Sequence, residues 1–127
     1  MECDRLLFDD WHPIASLDDI IDRDFINTQL LGQNICVARH EREGVCAWKG
    51  RDSSPDLIVK EAYGALWVSM SPQPKALFDI PEFAEDDRRI LSGGSLRVNV
   101  SGLRAVENFL DMAHFPFVHT DFLVQNR

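Results

Sequence analysis

The chain has 127 residues, of which 45% are hydrophobic, and it carries a formal net charge of −8. This length suits one ordinary apolar core. The acidic charge argues against nucleic-acid and anionic membrane partners, because both are bound by clustered Lys and Arg. The apolar runs also stop short of the roughly 20 residues that a membrane helix needs, so we expect no membrane partner.

The first residues, MECDRLLFDD, carry carboxylates where an export signal would carry basic residues and then an apolar stretch. Cys3, Cys36 and Cys46 are an odd number of cysteines at wide spacing, which is not the pattern of a disulfide framework. We therefore expect a cytoplasmic protein with reduced thiols.

The first half of the chain is predicted to be mostly strands. Ser16, followed by LDD, predicts an N-cap and a short helix over residues 17–23. QNICVARH and VCAWKG have apolar residues at alternate positions on either side of EREG, which predicts a β-hairpin with Ile35 and Trp48 facing the core. LIVKEAYGALWVSM is rich in β-branched and aromatic residues and predicts one buried strand, or two with an irregularity at Gly64.

The second half begins with a predicted linker, since SPQPKALFDIP and EFAEDDRR combine prolines and charges without an apolar period. The segment GSLRVNVSG alternates apolar and polar residues, which predicts a strand with one solvated face. From Leu103, apolar residues recur at helical spacing as far as Ala113. Pro116 marks the point at which a regular helix is expected to be disturbed.

Ionisable residues accompany the apolar ones on this predicted helix. Glu107, Asp111 and His114 lie on one face, whereas His119 is about 140° further round and converges with His114 only if the helix bends or ends near Pro116. Two imidazoles and a carboxylate suit ferrous iron with open coordination positions, or the carboxylate orients a liganding histidine. The alternative is an amphipathic helix with a solvated polar face, and the spacing leaves both interpretations open.

The run from Asn108 through Asp111, His114 and His119 resembles the mononuclear-iron motif of the Rieske non-haem iron oxygenases, in their large catalytic subunit. WHPIA, LLGQNICVAR, VCAWKG and EAYGALWV look like the framework of that family's N-terminal Rieske domain. The resemblance implies that His114 and His119 are iron ligands. It also implies that Asp111 is the carboxylate bridging to a neighbouring subunit's Rieske cluster, with Asn108 in support.

The same resemblance implies an α+β fold. Residues 1–71 would be the remnant of a β-rich Rieske domain, and residues 72–127 the first strand and iron-site helix of a catalytic domain. The implied reaction is the hydroxylation or O-demethylation of an aromatic compound by O2 at Fe(II). Electrons would come from a reductase or ferredoxin through a [2Fe–2S] cluster, in a homotrimer.

The chain departs from the family at both metal sites. A Rieske cluster is held by Cys-x-His and Cys-x-x-His, and neither pattern occurs in this sequence. In the family, the first cluster loop would begin just after VCAWKG, where RDSSPD here leads directly into the next strand, so a stretch is absent around residues 50–56. The family's third iron ligand, a carboxylate far downstream, has no counterpart before Arg127. We therefore expect an internally deleted, C-terminally truncated and inactive member.

Two other functions stay open. The chain could be a non-catalytic protein that keeps the family's subunit contacts and docks onto full-length oxygenase subunits. It could also be a small iron- or zinc-binding domain whose remaining ligands come from Glu107, Asp121 or a second copy of the chain.

Overall fold

The structure is a computed structural model that describes residues 5–21, 23, 25–50 and 56–111. Its contacts divide the chain into two compact units, Met1–Ser95 and Leu96–Arg127. The elements are α1 (Arg5–Asp9), β1 (His12–Ser16), α2 (Leu17–Ile21), β2 (Phe25–Leu30), β3 (Gln33–His40), β4 (Gly44–Lys49), β5 (Ile58–Ala62), β6 (Ala65–Ser69), the 3-10 helix η1 (Pro81–Ala84) and α3 (Gly102–Leu110). The predicted α+β class is confirmed. None of the helices in the described ranges has the length and apolar character needed to cross a membrane.

The first unit contains two antiparallel sheets of three strands, with the orders β1-β6-β5 and β2-β3-β4. Two-residue turns join β2 to β3 and β5 to β6, and both have positive φ at both positions: 48° and 78° at Leu31 and Gly32, 55° and 69° at Tyr63 and Gly64. This conformation matches the twist of the paired strands. The irregularity predicted at Gly64 is therefore a hairpin turn between two strands.

The core lies between the inner faces of the two sheets. It consists of Ile20, Ile35, Val37, Ala47, Leu57, Leu66, Val68 and Met70, each at most 9% exposed. Strand β6 is central in its sheet, and its four residues from Leu66 to Ser69 are all buried. Since apolar burial is the largest favourable term in folding, the buried residues of β6 contribute directly to the stability of this unit.

The predicted β3–β4 hairpin is confirmed, but the predicted position of Trp48 is wrong. Ile35 is 1% exposed, and the cross-strand partner of Val37 is Ala47, so the odd-numbered residues of β4 face the core. Trp48 pairs with Cys36 and lies half-buried on the opposite face. Successive side chains of a strand point to opposite faces, so an assignment that is wrong by one residue places the tryptophan on the wrong face.

Helix α2 begins as predicted. The hydroxyl of Ser16 accepts a hydrogen bond from the backbone N–H of Asp19 at 3.2 Å, which is the geometry of an N-cap. Asp19 also accepts from the hydroxyl of Ser95 at 2.7 Å. The hydrogen bonds from Ser95 and Ser16 hold the pKa of the Asp19 carboxyl below its ordinary value.

The predicted linker packs against the first sheet over residues 75–84. The Tyr63 hydroxyl accepts from the Ile80 N–H at 3.1 Å and donates to the carbonyl of Phe78 at 3.0 Å, with the Asp79 carboxylate at 3.3 Å as the other acceptor. The Phe78 ring meets Trp67 edge-on at 5.6 Å. This segment therefore belongs to the first unit, as the division after Ser95 also indicates. The assignment of residues 1–71 and 72–127 to two family domains stays a prediction.

The strand predicted over GSLRVNVSG does not form. The residues before Gly102 are in neither helix nor strand, and Leu96 is 87% exposed. A strand is stabilised by hydrogen bonds to a neighbouring strand, and within the described residues none lies beside this segment. The alternating apolar and polar residues favour a strand, but a strand also needs a neighbouring strand with which to pair.

Replacing a core leucine should destabilise the first unit strongly. Leu66→Ala removes a side chain that is fully buried, and we expect a loss of about 2–5 kcal/mol in the free energy of unfolding. Urea unfolding followed by tryptophan fluorescence measures it. The matched control is Leu91→Ala, because Leu91 is 71% exposed and should change stability by less than about 0.5 kcal/mol. Equal losses in the two variants would contradict the assigned core.

Removing the Tyr63 hydroxyl should loosen residues 78–80 while leaving the hairpin intact. Tyr63→Phe keeps the ring contacts with Phe78 and Phe83 but deletes the hydrogen bond to the Ile80 N–H, which is worth about 1 kcal/mol. Hydrogen exchange at the Ile80 amide should accelerate by roughly fivefold, with exchange at Val68 unchanged. Unchanged protection at Ile80 would show that the ring contacts alone hold the segment.

Candidate metal centre

Helix α3 carries the described part of the predicted iron motif. Its N-cap is Ser101, whose hydroxyl accepts from the N–H of Arg104 at 3.3 Å. One turn later, the Arg104 guanidinium pairs with the Glu107 carboxylate at 2.8 Å. Glu107 is thus engaged on the helix surface, as an i, i+3 ion pair commonly is.

Asp111 lies at the end of this helix and not within it. The last helical residue is Leu110, and Asp111 is the C-cap, with φ −79° and ψ 91°. Its backbone N–H still donates to the Glu107 carbonyl at 3.0 Å. The predicted helix through Asp111 to His114 is therefore wrong at Asp111. A carboxylate opposes the negative end of the helix dipole, and a helix this short and this exposed has little packing to extend it.

Asn108 is exposed in the last turn of α3, three residues before Asp111. His114 and His119 lie outside the described residues, so their roles as ligands stay predictions. Within the ranges that the structure describes, no group of three or more His, Cys, Asp or Glu side chains is placed to hold a metal ion.

The described cysteines do not fit an iron–sulfur cluster. Cys36 and Cys46 lie on neighbouring strands, β3 and β4, and their side chains share the outer face of the sheet. Burial raises the pKa of the Cys36 thiol. Burial and the neighbouring Glu43 carboxylate both raise the pKa of the Cys46 thiol. Neither cysteine is followed by a histidine at the second or third position, which is the pattern that a Rieske cluster requires.

The described histidines are not arranged to complete such a cluster either. His12 belongs to the other sheet, and its Nε2 donates to the Leu7 carbonyl at 2.7 Å. His40 follows Cys36 by four positions on β3, so their Cα atoms are about 13 Å apart in an extended strand. The donor set of a [2Fe–2S] centre is thus not assembled in this part of the chain.

The contacts assign structural roles to two residues for which no role was predicted. Tyr63 anchors residues 78–80, and Asp56 closes the connection between β4 and β5. The only signal for Asp56 was its place after SSP, a turn-forming run. The Lys49 amide that it contacts could not be inferred without knowing how the two strands meet.

The two thiols should respond differently to the loss of Glu43. The Cys46 Sγ donates to the Glu43 carboxylate at 3.9 Å, and this negative charge helps to raise the pKa of the thiol. Glu43→Gln removes the charge, so more thiolate is present at about pH 8. Iodoacetamide should then modify Cys46 roughly twofold faster or more, measured by peptide mass spectrometry. Cys36 is the internal control, and equal acceleration at both cysteines would contradict the assignment.

The chain is similar in sequence to a known protein. No family model matches the chain. The chain is 47% identical over 117 residues, 92% of its length, to the probable methylxanthine N7-demethylase NdmC of Pseudomonas sp. (strain TJI-51). It spans 41% of the length of that relative. A stretch of 117 residues in this chain includes residues 11–117, and hence Asn108, Asp111 and His114. The similarity supports the resemblance to the Rieske oxygenase family.

Proposed function

We propose that this chain provides part of the iron site of an oxygenase that removes a methyl group from a ring nitrogen. The substrate class is a methylated purine of the methylxanthine type. The observation that carries the proposal is the 47% identity to a probable methylxanthine N7-demethylase, over a stretch that includes most of the Asp111-x-x-His114-x4-His119 motif. The family resemblance implied hydroxylation or O-demethylation, and the similarity to this relative supports N-demethylation as the reaction.

Two donors of a ferrous iron site would come from this chain. His114 and His119 would supply the imidazoles, and two imidazoles with a carboxylate leave positions at which O2 and substrate can approach. Iron bound there would supply the activation of O2. Asp111, at the end of α3, would orient a histidine by accepting its ring N–H or connect the site to an electron donor. Asn108 would support Asp111 from the preceding turn.

The stoichiometry of N-demethylation determines that O2, two electrons and two protons must reach this site. One oxygen atom of O2 enters a C–H bond of the N-methyl group, and the other leaves as water, which consumes two electrons and two protons. The resulting N-hydroxymethyl group loses formaldehyde when its C–N bond breaks, and the ring nitrogen keeps a proton. A reductase or ferredoxin is the class of protein that would supply the electrons.

Anaerobic titration with Fe(II) tests the site directly. Binding to the folded state raises stability by mass action, by about 2.7 kcal/mol when free iron exceeds Kd 100-fold. The expected result is one-to-one saturable binding with a rise in Tm. The rise should be lost in His114→Ala and kept in His40→Ala, the control, since His40 is an exposed strand-end histidine. An equal rise in both variants would show that iron binds elsewhere, and no saturable binding would refute the proposed site.

A second candidate function is a non-catalytic one, in which the chain docks onto full-length oxygenase subunits. Its support is the set of exposed apolar side chains on α3: Leu103 is 80%, Phe109 78% and Leu110 75% exposed. Clustered apolar exposure of this kind marks an interaction surface more often than a free one. The iron titration separates the two candidates, because docking requires no saturable iron site.

A further inference from the structure

The connection between β4 and β5 is closed by backbone and carboxylate hydrogen bonds. The Asp56 carboxylate accepts from the Lys49 N–H at 3.0 Å. The N–H groups of Asp56 and Leu57 both donate hydrogen bonds to the Ala47 carbonyl, with N···O distances of 3.3 and 3.2 Å. Ala47 and Leu57 also form an antiparallel bridge, so the end of β4 and the start of β5 are tied together. We call these four residues the β4–β5 joint.

The joint sits on the core of the first unit. Ala47 is fully buried and Leu57 is 9% exposed, and both belong to the same apolar cluster as Val37 and Leu66. A buried backbone amide needs a partner, because an unsatisfied one costs free energy, and the Leu57 N–H finds its partner in the Ala47 carbonyl. The hydrogen bond from the Lys49 N–H to the Asp56 carboxylate lies at the surface and adds a second tie between the same strand ends.

In the family that this chain resembles, the loops that hold the cluster begin at this place. Here the joint occupies it, and the described cysteines lie elsewhere, on the outer face of the β2-β3-β4 sheet, with raised pKa values. The chain as a whole has neither of the required Cys-His pairs.

We infer that the β-rich unit is complete without an iron–sulfur cluster, with the Asp56-centred joint standing where the cluster loops would leave the fold. Its core and joint hold it together with no metal contribution. Its consequence rests on the proposed function: the two electrons per methyl group would come from a cluster held outside this β-rich unit.

Anaerobic reconstitution with Fe(II) and sulfide tests the inference. The chain to use carries His114→Ala and His119→Ala, so that iron uptake at the proposed mononuclear site cannot be mistaken for cluster formation. We expect no visible absorption band of a [2Fe–2S] centre, no stoichiometric acid-labile sulfide, and a Tm that is the same with chelator and after reconstitution. A stoichiometric cluster, or a Tm that rises on its formation, would overturn the inference.

The joint is tested by its own variants. Asp56→Ala should lower Tm by about 4 °C, because the Lys49 amide loses its acceptor, whereas Asp56→Asn keeps an acceptor oxygen and should lower it less. Asp87→Ala is the matched control at an exposed aspartate and should leave Tm unchanged. If Asp56→Ala and Asp87→Ala melt alike, the joint contributes nothing and this part of the inference fails. None of these readouts depends on demethylase activity, so they remain decisive even if the proposed function is wrong.

Discussion

Burial of the inner faces of the two sheets against each other is the contact on which the rest of the first unit depends. Each three-stranded sheet has an apolar inner face, and burial of such a face is the main favourable term in folding. Together they bury Ile35 and Val37 from one sheet and Leu66 and Val68 from the other. The joint at Ala47 and Leu57, the cap of α2 and the docked residues 75–84 are all attached to this layered core.

The sequence predicted those parts of the fold whose signals are local. The Ser16 cap and the β3–β4 hairpin depend on residues a few positions apart, and both were found. The face on which Trp48 lies was predicted wrongly. Alternation shows that side chains point to opposite faces in turn, but it does not show which of the two faces is buried. The strand predicted at residues 94–102 does not form, because a strand is stabilised by a paired neighbour and a local pattern does not show whether one is present.

The candidate site was predictable to a different extent. The Asp-His-His spacing and its metal chemistry were readable from the sequence, and the family resemblance agrees with the similarity to a demethylase. The conformation of Asp111 was not predictable from the sequence. Apolar residues at helical spacing do not show at which residue packing stops supporting the helix. Asp56 lies at the edge of the stretch that is absent relative to the family. Its structural role, the hydrogen bond with the Lys49 N–H, is visible only in the tertiary contacts.

The pairing of β1 with β6 bears on the order in which the chain folds. Three of the four strand pairings, β2–β3, β3–β4 and β5–β6, are hairpins closed by short turns, whereas β1–β6 joins Pro13 to Trp67. The entropy of closing a loop grows with its length, so this pairing carries the largest closure cost in either sheet. Non-local pairing of this kind slows folding, so we expect β1 to pair with β6 after the three hairpins have formed.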